Sequence, residues 1–185
     1  MKALLGQIPF QGAVVFQPKP DSIGWLPQHY QVSIRIPVLD FISLGNRNPN
    51  RIFPSKNEHS LSLAGKALGE LGASQLADKQ TDELSGGEWQ LVCLAQLLVQ
   101  PTDVWLLDEP TASLDIYYKT KVFQFLWDQA RKGKTIVLST HDLPFIPTES
   151  GSYLYLNEGI ADNGLVSTDS IKGLLDKLKS QPEVA

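Results

Sequence analysis

Apolar residues fall into short blocks along the chain, and the spacing within the blocks changes twice. Near the start, Lys2-Ala3-Leu4-Leu5 halts at Gly6, the pattern of a helix end. Five residues do not sustain a helix alone, because nucleation costs more than one turn returns, so the chain reads as beginning inside an element. Two runs rich in β-branched and aromatic residues follow, Gly12-Ala13-Val14-Val15-Phe16 and Ile23-Gly24-Trp25-Leu26, the second closed by Pro27. Pro18, Pro20 and Asp21 between them predict a turn. From about residue 30 to residue 83 the texture becomes helical. Val38 to Leu44 has helical spacing, residues 45–54 form a polar loop, and Leu61, Leu63, Ala64, Ala67, Leu68 and Leu71 recur at three and four.

After Pro101 strands and helices alternate. Val104-Trp105-Leu106-Leu107 is an unbroken apolar run, residues 122–131 are helical, and Thr135-Ile136-Val137-Leu138 is a second unbroken run. Such runs between helices predict a parallel sheet covered on both faces. A short element begins at Leu143, residues 152–156 and 159–162 suit a terminal hairpin, and a helix is expected over residues 168–179.

Composition narrows the possibilities. The 185 residues carry Lys+Arg 16 against Asp+Glu 20, a net charge of −4. That leaves no basic excess for binding nucleic acid through its phosphates. The single cysteine, Cys93, excludes an internal disulfide framework and multi-cysteine metal sites, and fits a reducing compartment. No stretch approaches the length of a membrane span, and the first residues lack the apolar region of a secretory signal. A soluble, cytoplasmic protein is expected.

Four places carry chemistry. Leu84-Ser85-Gly86-Gly87-Glu88 immediately precedes a helix; Ser85 and Glu88 have the spacing of a capping box, and the glycines leave N–H groups bare at the positive helix end. That suits a phosphate clamp, and equally an ordinary capped helix. Asp108-Glu109-Pro110 ends an apolar strand and so places two carboxylates at the carboxyl edge of a parallel sheet, where ligands of such sheets bind. Asp108 there can hold a Mg²⁺ shell and Glu109 can polarise a water, although both can equally face solvent. His141, after the next strand, reaches the same edge, where an imidazole can contact a γ-phosphate; a solvated histidine is the plainer reading. Gln28, after the second short run, is either a surface amide or a metal ligand at that edge.

In this order the segments resemble the ATP-binding cassette family. Residues 84–88 match its signature motif, with Glu88 where glutamine is common. Residues 104–108 look like the Walker B strand, Glu109 occupies the catalytic glutamate position, and Ser113-Leu114-Asp115 matches the D-loop. Gln28 and His141 match the Q-loop and H-loop. The resemblance implies an α/β fold of the P-loop-NTPase type: a mostly parallel sheet flanked by helices, with a helical subdomain over about residues 30–100 and a core from residues 1–29 and 101–185. It implies Glu109 and His141 as catalytic residues and Gln28, Ser85, Gly86, Gly87, Asp108 and Asp115 as ATP-binding ones, with Mg²⁺ on Asp108 and Gln28. It also implies a second ATPase subunit in a head-to-tail dimer, a membrane permease, and a place on the inner face of the plasma membrane. Residues 36–45 are similar to the insert of importers for metal ions and iron chelates.

One part of the family pattern is missing. The phosphate loop (Walker A) requires Gly-x-x-x-x-Gly-Lys-[Ser/Thr] between a strand and a helix. The sole candidate, Gly133-Lys134-Thr135, has Asp128 at the first glycine position and leads from helix to strand, the reverse order. The chain thus reads as starting one turn beyond the missing loop, with negligible hydrolysis expected of it alone. Loss of a central strand and its helix is expected to uncover the runs at 104–107 and 136–138. A cassette that only lends its signature face to a partner is the alternative.

Overall fold

A computed structural model describes residues 1–15, 22–28, 34–46, 58–157 and 160–179. They fall into two compact units, Met1–Thr140 and His141–Ala185.

The first unit is built on three parallel strands in the order β1 (Ile23–Leu26), β2 (Val104–Asp108), β3 (Thr135–Ser139). Leu26 lies opposite Leu107 and Asp108 opposite Ser139, so all three strands end along one edge. Among the described residues this unit has four α-helices: α1 (Val38–Ser43), α2 (Glu58–Glu70), α3 (Gly86–Leu98) and α4 (Ile116–Arg131). Their apolar stripes meet in one core that joins Phe41, Ile42, Leu68, Leu91, Leu94 and Leu97 to Trp105 and Leu107 of β2. At β1 the sheet approaches α3 so closely that a Cβ on Gly24 would stand 2.5 Å from Leu97 Cδ1 and 2.9 Å from Thr102 Oγ1. Trp105, fully buried, stacks on Phe125 of α4 with ring centroids 6.4 Å apart and donates its indole N–H to Thr102 Oγ1 at 3.0 Å.

The second unit holds an antiparallel hairpin, β4 (Ser152–Asn157) with β5 (Ile160–Leu165), and helix α5 (Thr168–Lys179). Lys177 of α5 pairs with Asp162 of β5 and sits 5.4 Å from the Tyr155 ring centroid, which fixes the helix to the tyrosine face of the hairpin.

Several expectations are corrected. Residues 1–6 form successive turns rather than an α-helix, yet Gly6 N–H bonds Ala3 C=O and Gln7 N–H bonds Lys2 C=O, as at a glycine-terminated helix end. Residues 12–15 are not a strand, and Val15 is 72% exposed; no strand among the described residues pairs with them, and an unpaired strand has no ladder to hold it. Phe16 and the turn expected at Pro18, Pro20 and Asp21 lie outside the described residues. The run at 104–107 stays buried because β2 is the central strand; only β3 is uncovered, with Val137 40% exposed. Helix α4 begins six residues earlier than the apolar spacing indicates, because Asp115 caps it: Oδ1 accepts Tyr118 N–H at 2.9 Å.

Candidate functional site

The strand ends define the first half of the site. β2 delivers Asp108 and Glu109 to the carboxyl edge of the sheet, and Gln28 lies exposed at that edge, two residues beyond Leu26. Ser139, at the end of β3, fixes both carboxylate residues. Its hydroxyl donates to Asp108 Oδ1 at 2.5 Å, while Glu109 N–H is shared between Ser139 C=O at 3.1 Å and Oγ at 3.2 Å. Glu109 adopts φ +50°, the left-handed region that a side chain usually avoids, and Pro110 follows it. The chain thereby turns sharply away from the sheet at the residue that carries the second carboxylate. Such a departure persists only where neighbours over-determine it, and Ser139 does so here.

The second half is the start of α3. Ser85 Oγ accepts Glu88 N–H at 3.3 Å and Glu88 Oε2 accepts Ser85 N–H at 2.9 Å, the capping box read from the sequence. Ser85 and Gly86 are exposed. Glu88 Oε1 accepts from Lys79 Nζ at 2.6 Å, and this partner, with the Ser85 N–H, holds the Glu88 carboxyl below the usual carboxylate range.

The two halves are joined through the loop after Glu109. Gln90 of α3 donates from Nε2 to Pro110 C=O at 3.0 Å, and Gly87 lies against the Ser113 carbonyl, where a Cβ would come within 2.9 Å. Gly87 is therefore required by a close backbone approach that brings residues 113–115 beside the exposed turn. Among the predicted site residues, Asp108 ends β2 on the carboxyl edge, Glu109 follows it, and Gln28 lies two residues past the end of β1. Ser85, Gly86 and Gly87 adjoin Ser113, and Asp115 caps α4. His141 is exposed and opens the second unit. The decoy Lys134 is occupied elsewhere: it reaches Thr102 C=O, pairs with Asp103 at 3.5 Å and lies 5.8 Å from the Trp105 ring centroid.

Two contributors had no signal strong enough to be found in advance. Ser139 resembled any strand-end serine until its register with Asp108 was known. Lys79 lies nine residues before Glu88, across a stretch with no regular period.

Residues 2–112, more than half of the chain, match the ABC transporter family model, and the chain belongs to that family. It is 32% identical over 152 residues to the molybdate import ATP-binding protein MolC of Haemophilus influenzae, covering 81% of this chain and 58% of that protein. It is 31% identical over 176 residues to the manganese transport system ATP-binding protein MntB of Listeria monocytogenes, covering 90% of this chain and 72% of the other. In structure it is similar to a chain of an inward-facing ABC transporter assigned to the metal-chelate type, with TM-score 0.75 and 28% identity over 97% of this chain and 70% of the other. The chain thus spans between about half and three quarters of the length of these relatives. No helix among the described residues is long and apolar enough to cross a membrane.

Proposed function

We propose that the chain is the nucleotide-binding subunit of an importer for metal ions or metal chelates, and that it couples ATP hydrolysis to transport. The observation that supports this reading is the shared edge: Leu26 pairs with Leu107 and Asp108 with Ser139, so Gln28, two residues past β1, and Glu109, one past β2, follow the strand ends, and residues 113–115 adjoin Gly87. In this reading residues 30–100 act as the helical subdomain, while residues 1–29 and 101–185 act as the core.

The donor set suits Mg²⁺. Among the described residues no three acidic, histidine or cysteine side chains form a metal cage. Magnesium is commonly held by one or two carboxylates together with substrate phosphates, and Asp108, with the Gln28 amide oxygen, supplies hard oxygen donors of that kind. The ion, when bound, would neutralise phosphate charge. Glu109 would accept a proton from an attacking water, and His141 would orient the γ-phosphate. Ser85, Gly86 and Gly87 would serve the nucleotide held by a second ATPase subunit in a head-to-tail dimer. A permease partner would hold the pair against the inner face of the plasma membrane.

The sequence contains no Gly-x-x-x-x-Gly-Lys-[Ser/Thr], so most donors to the β- and γ-phosphates are lacking in these 185 residues. The signature face is nevertheless formed and exposed. That supports a role for the turn at Ser85, Gly86 and Gly87 in completing the nucleotide site of a second ATPase subunit. Size-exclusion chromatography with an intact metal-importer cassette tests it. An ATP- and Mg²⁺-dependent complex is expected, weakened in Ser85→Ala, with no turnover above background for this chain alone. Failure to associate under any nucleotide condition would overturn the trans role, and turnover by the isolated 185 residues would overturn the expectation that they do not hydrolyse ATP alone.

A further inference from the structure

Glu88 stands where glutamine is common in the family, and its surroundings show what the exchange requires. A carboxamide accepts through one oxygen, whereas a carboxylate accepts through two and carries a full charge. Both Glu88 oxygens are used: Oε2 takes Ser85 N–H at 2.9 Å and Oε1 takes Lys79 Nζ at 2.6 Å. Lys79 is held by its own backbone as well. Its carbonyl accepts Val38 N–H, the first of α1, at 3.0 Å. Two residues on, Thr81 is buried; its hydroxyl donates to Ile34 C=O at 2.5 Å and accepts Ile36 N–H at 3.2 Å. Arg35 spans Asp82 and Glu83 at 3.4 and 3.3 Å. The segment 79–83 is therefore fastened along residues 34–38, and Lys79 is the side chain that reaches from it to the cap of α3.

We propose that Lys79 is the positioning residue of the signature turn in this chain: it anchors Glu88 so that the cap of α3 keeps its shape, and it cancels the carboxylate charge beside the turn. This inference rests on the reading that the turn faces a partner subunit's triphosphate. An uncompensated carboxylate there would repel the phosphates, and a neighbouring ammonium at hydrogen-bond distance removes most of that repulsion. Lys79 and Glu88 are thus required as a pair, and neutral residues at both positions are expected to work together where the single loss of Lys79 does not.

The cycle of Lys79→Met, Glu88→Gln and the double variant tests this in the 185-residue chain, with two readouts. Amide hydrogen exchange at Ser85 and Glu88, taken as protection factors from pH 3.5 to 7, reads the cap without nucleotide. Lys79→Met is expected to lower Ser85 protection about three- to fivefold and to shift its acid loss to higher pH, with the double variant restored toward the unmodified chain. ATP-dependent association with an intact cassette reads the charge effect and is expected to follow the same order. Unchanged protection and unchanged association in Lys79→Met would overturn the proposal, as would equal losses in Lys79→Met and the double variant. If the unmodified chain fails to associate at all, the trans reading falls, while the exchange data still decide whether Lys79 shapes the cap.

Discussion

Glu109 combines the chemistry assigned to it with a backbone that works against a side chain. Left-handed φ costs a non-glycine residue about 1–2 kcal/mol, and here that cost sits at the second carboxylate of the strand end. Glycine carries no such cost but loses more conformational freedom on folding, about 0.5–1 kcal/mol. Glu109→Gly is therefore expected to leave the urea midpoint unchanged, or to raise stability by up to about 1.5 kcal/mol, while removing the carboxylate. A fall of more than about 1 kcal/mol would show that side-chain contacts of Glu109 outweigh the backbone strain. The pairing of strain with function at one residue has a physical logic. The turn is what lifts the carboxylate out of line with β2, and Ser139, bonded to both Asp108 and Glu109, is what keeps it there.

At the scale of elements, the parts with a strong period and a local stop signal were readable in advance. Helices α1, α2 and α5 and strands β1, β2 and β3 lie within a few residues of where the apolar spacing placed them, and α3 starts where Ser85 and Glu88 indicated. The parts that depend on tertiary partners were not. The run at residues 12–15 has strand composition but no ladder among the described residues, and α4 reaches back to Asp115 through Ile116 and Tyr117, which are exposed and lie outside the apolar stripe. Within the site, Asp108, Glu109 and the capping box were visible as local strings. Lys79, Ser139 and the left-handed turn were not, because each depends on a neighbour distant in sequence. The packing of β1 on α3 is of the same nonlocal kind and yields a prediction. Gly24→Ala would push a methyl into Leu97, Thr102 and Trp105, and overpacking of this sort costs about 1–3 kcal/mol. A lower thermal midpoint with retained helical circular dichroism is expected; an unchanged midpoint would mean that Leu97 swings aside without loss.

At the scale of the whole molecule, the two units can be followed separately because their reporters are segregated. All four tryptophans and the only cysteine lie within residues 1–140, whereas the second unit has neither. Cys93 is 4% exposed in the core of α3, and burial pushes its thiol up to about 12 from 9.0. At pH 8 such a shift cuts the thiolate fraction by about a thousandfold, and steric exclusion by the surrounding core adds to it. Alkylation of the folded chain at pH 8 is therefore expected to be slower than that of a free thiol by at least that factor. With added urea the labelling should rise along the same transition as the loss of tryptophan fluorescence, since both report the core that joins α3 to Trp105. Labelling that precedes the fluorescence change would reveal a local opening of α3, and with it a signature helix less firmly held than its cap, Lys79 and Gln90 together imply. Coincident transitions would show that the carboxylate edge and the signature turn are carried on one cooperative body, the arrangement a chain needs if events at Asp108 are to be felt at Ser85.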